Sequence, residues 1–200
     1  MADYPVRLGK TDGPAAMGVL REAFATHPML PPGTSPQTTE RLMALMVDTF
    51  SRHETAALHG IRQEGTLVCV ALTVANGYEP KGLALANFLA RLCFVLGWRL
   101  IRDFNRAMSH QPKYDQPYLD LVLFGTRPSH HGRGLGRAML SSIYSSAESQ
   151  GYHGVTLAVA KDTPAHRLYL KEGFVGVTEV SISNLCLCHM RRDNHQTDEK

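Results

Sequence analysis

The sequence has few cysteines, and none of them stands in a C-x-x-C pair. Zinc ribbons and thioredoxin-type redox sites need closely spaced cysteine pairs, so the spacing argues against both kinds of site. Ten histidines are present, but they form no H-x-x-x-H pattern and no cluster with cysteine. We therefore expect no metal site and expect the cysteines to be reduced residues of the core. They are Cys69, Cys93, Cys186 and Cys188.

The sequence also lacks a strong charge of either sign. Its 21 basic and 18 acidic residues leave a formal net charge of +3, and the basic residues are scattered along the chain. We therefore expect no nucleic-acid partner. Asp3 and Arg7 interrupt the start of the chain, and no apolar segment typical of a signal peptide follows them. These features predict an intracellular, cytoplasmic protein.

One long apolar segment, residues 83–101, imitates a membrane span but contains Arg91 and Arg99. Arginine is costly in lipid, and the leucines of the segment recur at three- and four-residue steps, as on the buried face of a soluble helix. We predict a helix of a soluble protein here and no membrane partner. The leucines are Leu85, Leu89, Leu92 and Leu96.

The length and the order of the elements favour one domain. With 200 residues, 44% of them hydrophobic and 20% charged, the chain fits a single globular unit. Helical patterns near the start are followed by a strand–helix–strand–helix unit and then by strands, which favours one α/β or α+β sheet domain. We place this domain at residues 1–192 and a polar, frayed tail at residues 193–200.

Residues 128–140, PSHHGRGLGRAML, combine three alternating glycines with the start of a helix. Such a turn after a strand forms an anion site, because free N–H groups of the helix point outward and glycine lets phosphate oxygens approach the backbone. A phosphate or pyrophosphate is the expected ligand. Counting from Gly132, Arg137 stands where the dinucleotide and mononucleotide patterns need glycine, which argues against both motifs.

A second motif follows in residues 162–174, DTPAHRLYLKEGF. Together the two segments resemble the GNAT superfamily of N-acetyltransferases, over about residues 118–191. The second motif of that family reads Asn-x-x-Ala-x-x-Leu-Tyr-x-x-x-Gly-Phe. Here Asp162, Ala165 and Tyr169 stand at its first, fourth and eighth positions, so aspartate replaces asparagine.

The phosphate loop of the family reads Gln/Arg-x-x-Gly-x-Gly/Ala, and residues 131–136 match it with His131 at the first position. Within the superfamily, the chain is most similar to the small-molecule branch that includes puromycin N-acetyltransferase. The resemblance implies a mixed, mostly antiparallel sheet of six to seven strands flanked by helices. It also implies a helical insert, about residues 82–117, before the central strand.

The resemblance further implies acetyl-CoA, or another acyl-CoA, as co-substrate and no metal. The pantetheine arm would lie along the central strand at Phe124, Gly125 and Thr126. Asp162 and Ala165 would also lie near the coenzyme, where the carboxylate of Asp162 is expected to weaken phosphate binding. The pyrophosphate would lie on the loop, whose residues are His131, Gly132, Arg133, Gly134, Leu135, Gly136 and Arg137.

Tyr169 is the general acid that the resemblance implies. It would lie near the sulfur of the coenzyme, where a phenol can donate its proton to the leaving thiolate. Packing of an aromatic ring on a helix is the alternative role for this residue.

Asp120 is a carboxylate within the apolar strand YLDLVLFGT. Because side chains alternate along a strand, we predict that alternate residues from Asp120 to Thr126 share one face and that the leucines take the other. Burial raises the pKa of a carboxyl group, which suits a general base for a substrate amine. Structural pairing with a nearby arginine or histidine is the alternative.

Three functions stay open from the sequence. The leading one is acetyl transfer from acetyl-CoA to the amine of a small molecule, because the insert at residues 82–117 resembles a lid over a small pocket. The second is a binding or regulatory module without turnover, favoured by the departures at His131 and Asp162. The third is acetylation of protein N-termini or lysines, which needs an open groove. The acceptor, the acyl chain length and the choice between monomer and homodimer also stay open.

Overall fold

The computed structural model describes residues 4–25, 30, 35–77, 83–96, 102, 106, 109–182 and 185–194. Within these residues the chain forms seven strands and five α-helices. In chain order they are β1 (Val6–Arg7), α1 (Gly13–Phe24), α2 (Pro36–Phe50), β2 (Ala57–Gln63), β3 (Thr66–Ala75), α3 (Leu83–Leu96), β4 (Tyr118–Thr126), α4 (Leu135–Ser149), β5 (Gly154–Ala160), α5 (Pro164–Lys171), β6 (Val175–Ile182) and β7 (Leu185–Asp193).

The seven strands form one sheet in the order β1-β2-β3-β4-β5-β7-β6. Neighbouring strands are antiparallel except for β4 and β5, which run parallel and are connected through α4. The predicted α/β fold, with a mixed and mostly antiparallel sheet flanked by helices, is confirmed. The β2–β3 hairpin turns at Glu64 and Gly65, both with positive φ (50° and 80°).

Helices cover both faces of the sheet. On one face α4 buries Met139, Leu140 and Ile143 against β3, β4 and β5. On the other face α1 and α2 form a second core, in which Leu20 and Met43 are buried. This burial of apolar side chains from both sides holds β4 in the centre of the domain.

The start of α2 carries a serine cap and a proline. Ser35 is the N-cap, its hydroxyl accepts a hydrogen bond from the backbone N–H of Thr38 at 3.1 Å, and Pro36 occupies the first turn. The predicted buried face of α3 is confirmed at Leu92 and Leu89, which pack in one cluster, but Leu85 is 39% exposed while Phe88 is 4% exposed. Phe88 and Leu92 contact α2, so the helix is rotated relative to the leucine pattern.

The ends of two predicted segments also differ from the sequence pattern. The last strand continues to Asp193, one residue into the predicted tail, and Asp193 accepts a hydrogen bond from the hydroxyl of Tyr118 at 2.8 Å. Residues 195–200 lie outside the described residues, as do residues 82, 97–101, 103–105 and 107–108 of the predicted insert. Among the helices that the structure describes, none has the length and apolar character needed to cross a membrane.

Candidate active site

The site begins where β4 and β5 separate. Their parallel ladder has four residue pairs and ends at Leu121 and Leu157, although β4 continues to Thr126. Beyond that point the strands diverge, and a cleft of about 290 Å³ opens between them and continues beneath α2. Backbone N–H and C=O groups on this side of β4 are therefore open to a ligand.

A β-bulge in β4 changes which side chains enter the cleft. Consecutive residues of β3 pair with Leu121 and Leu123, which leaves Val122 without a partner. Leu123 consequently packs with α1 and α2, whereas Phe124 packs on the α4 side. The prediction that Asp120 and Phe124 share one face is wrong, because the extra residue reverses the alternation at this point.

Asp120 lines the cleft on the face covered by α1 and α2. Its Oδ1 accepts a hydrogen bond from the hydroxyl of Thr156 at 2.9 Å, and that hydroxyl in turn accepts one from Asn76 Nδ2 at 3.1 Å. Burial raises the pKa of Asp120 from 3.8 to about 6, and the hydrogen bond from Thr156 opposes part of the rise. At neutral pH the group is therefore ionised and is a stronger base than an ordinary aspartate.

Tyr169 lines the same cleft from the last turn of α5. Thr163 caps the start of this helix by accepting a hydrogen bond from His166 N–H at 3.1 Å, and Gly173, with φ of 86°, ends it. The ring is 6% exposed and packs near Phe124 and Phe174, with centroid distances of 6.4 and 5.5 Å. Burial raises the pKa of Tyr169, which keeps the phenol protonated and able to donate.

The glycine loop presents backbone donors to open space. Gly132 and Gly134 have φ of 75° and 78°, a left-handed conformation that glycine adopts at little cost, and no atom lies within 4 Å of a Cβ built at either. Gly134 is the N-cap of α4 and supplies no side-chain cap. The first N–H groups of the helix thus face outward, as an anion site requires.

Gly136 has a different role from the two glycines before it. A Cβ at Gly136 would lie 3.1 Å from Leu168 Cδ2, so the missing side chain allows α4 to approach α5 closely. This contact holds the loop next to the helix that carries Tyr169.

The polar side chains of the loop form contacts within the protein itself. His131 Nε2 donates to the carbonyl of Thr126 at 3.0 Å, and Arg133 donates to the carbonyl of Ser129 at 3.2 Å. Arg137 forms an ion pair with Glu172 at 2.7 Å. Both arginines of the loop are therefore held by neighbouring acceptors, and backbone N–H groups are the donors that the loop offers to a ligand.

The other predicted cofactor residues differ in whether they line the cleft or contact neighbouring elements. Ala165 lines it, whereas Gly125 faces α1, where a Cβ would lie 2.7 Å from Ala23 Cβ. Thr126 donates its hydroxyl proton to Cys69 Sγ at 3.2 Å. Asp162 is exposed and has φ of 63°, a conformation that asparagine and aspartate adopt more readily than other non-glycine residues. Aspartate thus satisfies the backbone requirement of the position.

Sequence reasoning did not identify Asn76 and Thr156, the partners of Asp120. Thr156 is the polar residue of the apolar strand GVTLAVA, and this polar residue was the sequence feature that could have indicated its role. The parallel register, which pairs Asp120 with Thr156, brings the two side chains together. No group of three or more possible metal ligands occurs within the described part of the chain.

Comparison with known proteins identifies the kind of domain. A family model described as the acetyltransferase (GNAT) family matches residues 39–174. The match covers more than half of the chain and includes the glycine loop and the second motif. No curated protein sequence matches the chain at a significant level.

Solved structures with the same fold cover nearly the whole chain. A Corynebacterium glutamicum structure described as histone acetyltransferase HPA2 and related acetyltransferase has 23% identity and a TM-score of 0.71, with 99% of each chain covered. The ribosomal-protein-S18-alanine N-acetyltransferase of Escherichia coli has 18% identity and a TM-score of 0.60, covering 99% of this chain and 97% of that one. The C-terminal condensation domain of Ebony, solved in complex with beta-alanyl-dopamine, has 11% identity and a TM-score of 0.67, covering 97% of this chain and 100% of that one.

Proposed function

This chain belongs to the acetyltransferase (GNAT) family, and on that premise we propose that it transfers an acetyl group from acetyl-CoA to the amine of a small molecule. The observation that carries the proposal is that Asp120, a carboxylate with a raised pKa, and Tyr169, a buried phenol, line one apolar cleft. This pairing supplies a proton acceptor and a proton donor at the two ends of an acyl transfer.

The residues around the cleft fit the co-substrate that the family uses. Gly132 and Gly134 leave open space in front of the N–H groups of α4, which suits the pyrophosphate. The open edge of β4 after Leu121 suits the amide groups of the pantetheine arm. We propose that Phe124, Gly125, Thr126, Asp162 and Ala165 border this arm and that residues 131–137 hold the phosphates.

The chemistry follows from the positions of the two groups. Acetyl-CoA supplies a thioester carbonyl, and attack by the amine nitrogen forms a C–N bond as the C–S bond breaks. Asp120 accepts the proton that the amine nitrogen loses, and Tyr169 donates its phenolic proton to the departing sulfur. The products are the N-acetyl amine and the free thiol, and exchange with solvent returns both side chains to their starting states.

The helical cover over part of the cleft supports a small molecule over a protein as the acceptor. The cleft continues beneath α2, and apolar side chains of this helix line it. Among proteins of the same fold, the Ebony domain was solved with a small amide, whereas the E. coli enzyme is named for a ribosomal protein. A panel that contains both amines and a peptide with an N-terminal alanine separates the two acceptor types.

Release of free thiol from acetyl-CoA, with and without an amine, is the direct test. We expect Tyr169→Phe to lower kcat by about 10- to 100-fold with little change in the KM for acetyl-CoA, because the ring remains and only the proton donor is lost. Tyr144→Phe is the matched control, since Tyr144 also packs on Phe174, at 6.0 Å between centroids, but does not line the cleft.

Equal activity in Tyr169→Phe and wild type would remove Tyr169 from the mechanism. Absence of thiol release with every amine and with the peptide, despite tight acetyl-CoA binding, would instead favour the binding module without turnover. In that case the family membership would stand and the proposed reaction would not.

A further inference from the structure

The wall of the cleft on the Asp120 face is almost wholly apolar. It is built by α1, α2, α3 and the end of β3, while α4 and the glycine loop belong to the opposite face. The acyl donor, anchored at the loop, therefore leaves the space beside Asp120 for the acceptor. The side chains of this helical wall are Phe24, Leu42, Met43, Met46, Phe50 and Leu92.

The cleft is also lined by a carboxylate without a lysine or arginine among its described lining residues. Within the described residues, Asp120 is the one carboxylate that lines it, and no lysine or arginine does so. The other polar lining side chains there are Asn76, Gln111, Tyr114, Thr156, Tyr169 and His189. An acceptor with its own carboxylate or phosphate would meet a like charge, with no lysine or arginine among the described lining residues to pair with it, which is costly in apolar surroundings.

We propose, resting on the function proposed above, that the acceptor is an apolar primary amine, such as an arylalkylamine, that carries no anionic group. The amine lies beside Asp120 and the apolar body lies against the helical wall. Apolar surroundings favour the uncharged forms of both the amine and the carboxyl group. The apolar surroundings thus bring the proton affinities of the amine nitrogen and the carboxylate closer together. Transfer of a proton from the positively charged nitrogen to Asp120 therefore becomes less uphill than in water.

Three probe amines test the proposal by turnover. 2-Phenylethylamine carries the expected features, phenylalanine adds a carboxylate to the same skeleton, and ethylamine removes the ring. We expect kcat/KM for 2-phenylethylamine to exceed that for phenylalanine by at least about 100-fold, because an unpaired carboxylate must be buried. We expect an advantage of about 30-fold or more over ethylamine from burial of the ring. Phenylalanine or ethylamine used as well as 2-phenylethylamine would overturn the proposal.

A binding measurement separates this inference from the proposed function. Calorimetry should show acetyl-CoA binding in wild type and in Met46→Arg, since Met46 lies on the helical wall and away from the loop. Met46→Arg should lose most activity toward 2-phenylethylamine and gain relative activity toward phenylalanine. Acetyl-CoA binding with turnover of the N-terminal alanine peptide alone would overturn the acceptor class and leave acetyl transfer intact. Absence of acetyl-CoA binding would overturn both.

A second inference comes from the hydrogen bonds behind Asp120. Asn76 Nδ2 can only donate, so the Thr156 oxygen accepts from it at 3.1 Å and the Thr156 proton must point elsewhere, toward Asp120 Oδ1 at 2.9 Å. The backbone N–H of Asn76 is itself held by the carbonyl of Tyr118 at 2.7 Å. We infer that Asn76 and Thr156 are positioning residues that orient the Asp120 carboxylate and leave its second oxygen for the amine.

Other titratable groups near Asp120 lie in the segment before β4 and on β7. Tyr114 precedes β4, and its pKa is raised by burial and by the charges of Asp120 and Asp193. On β7, His189 lines the cleft and Arg191 pairs with Thr156 in the sheet. A substitution at Thr156 leaves these groups in place, so a change in the pH profile reports on the hydrogen bond to Asp120.

Thr156→Val removes the donor and keeps the shape of the side chain. Since the hydrogen bond lowers the pKa of Asp120, its loss should move the acidic limb of the kcat/KM profile to higher pH, by about one unit. Activity should then fall about 5-fold at pH 6, approach a 10-fold loss at lower pH and recover at alkaline pH, and Thr156→Ser should restore the wild-type profile. A uniform loss at every pH, or an unshifted profile, would contradict a positioning role.

Discussion

Asp120→Asn is expected to lower kcat/KM by about 100- to 10,000-fold at neutral pH and, in the same protein, to raise its thermal stability. Asparagine keeps the size of the side chain and its oxygen can still accept the hydrogen bond from Thr156. It cannot accept a proton from the amine. Loss of activity together with a gain in stability would separate a chemical role for Asp120 from a structural one.

The sign of the stability change follows from the raised pKa. In the folded protein the carboxyl group binds its proton more tightly than in the unfolded chain, whose pKa is near 3.8. The free energy of unfolding therefore falls as the pH rises between 3.8 and about 6, and the whole penalty is present above that range. Asparagine has no such penalty, so the variant should be more stable by about 1–3 kcal/mol at neutral pH.

Two measurements check this prediction. The kcat/KM of wild type should rise with pH through an apparent pKa of about 6, and the profile of the variant should lack this limb. Thermal unfolding should show a gap between the two proteins that closes as the pH falls below 3.8. Activity of the variant within a few-fold of wild type would remove Asp120 as the base.

Gly134→Val is expected to weaken acetyl-CoA binding by about 100-fold, the equivalent of losing one to two charge-assisted hydrogen bonds. The new side chain would occupy the open space in front of the first N–H groups of α4. It would also disfavour the left-handed backbone at φ of 78°, at a cost of about 1–2 kcal/mol in stability. Calorimetry with acetyl-CoA measures the first effect and thermal unfolding the second.

Gly151→Val provides the matched control for the loop variant. Gly151 has φ of 76°, has no atom within 4 Å of a built Cβ and follows the opposite end of the same helix. The two variants should lose similar stability, and only Gly134→Val should lose acetyl-CoA affinity. Equal affinities would place the phosphates elsewhere.

Much of the proposed acetyl-CoA site was predictable from local sequence. The strand predicted from the segment YLDLVLFGT has the same ends, Tyr118 and Thr126, in the structure. The loop that follows carries glycines at the positions that need positive φ. The helix with Tyr169 begins at a threonine–proline pair and ends at Gly173. These features depend on contacts between residues close in sequence, so the local pattern suffices to predict them.

The details that shape the proposed catalytic geometry depend on residues far apart in the sequence. The bulge at Val122 lies in a run of apolar residues, so no change of residue type marks where the alternation reverses. Asp120 and Thr156 are 36 positions apart and meet through the parallel register. Arg137 is neutralised by Glu172, 35 positions away. Such pairs depend on the assembled sheet, and a single sequence does not display it.

The short parallel ladder has a consequence for how this enzyme can diverge. Four residue pairs join the half of the sheet built by β1–β4 to the half built by β5–β7. In the proposed function, the glycine loop and α5 serve the donor, whereas α1, α2 and α3 wall the acceptor space. Mutations in those three helices can therefore exchange one acceptor for another while the donor machinery is inherited unchanged, so substrate range and reaction type evolve on separate parts of one domain.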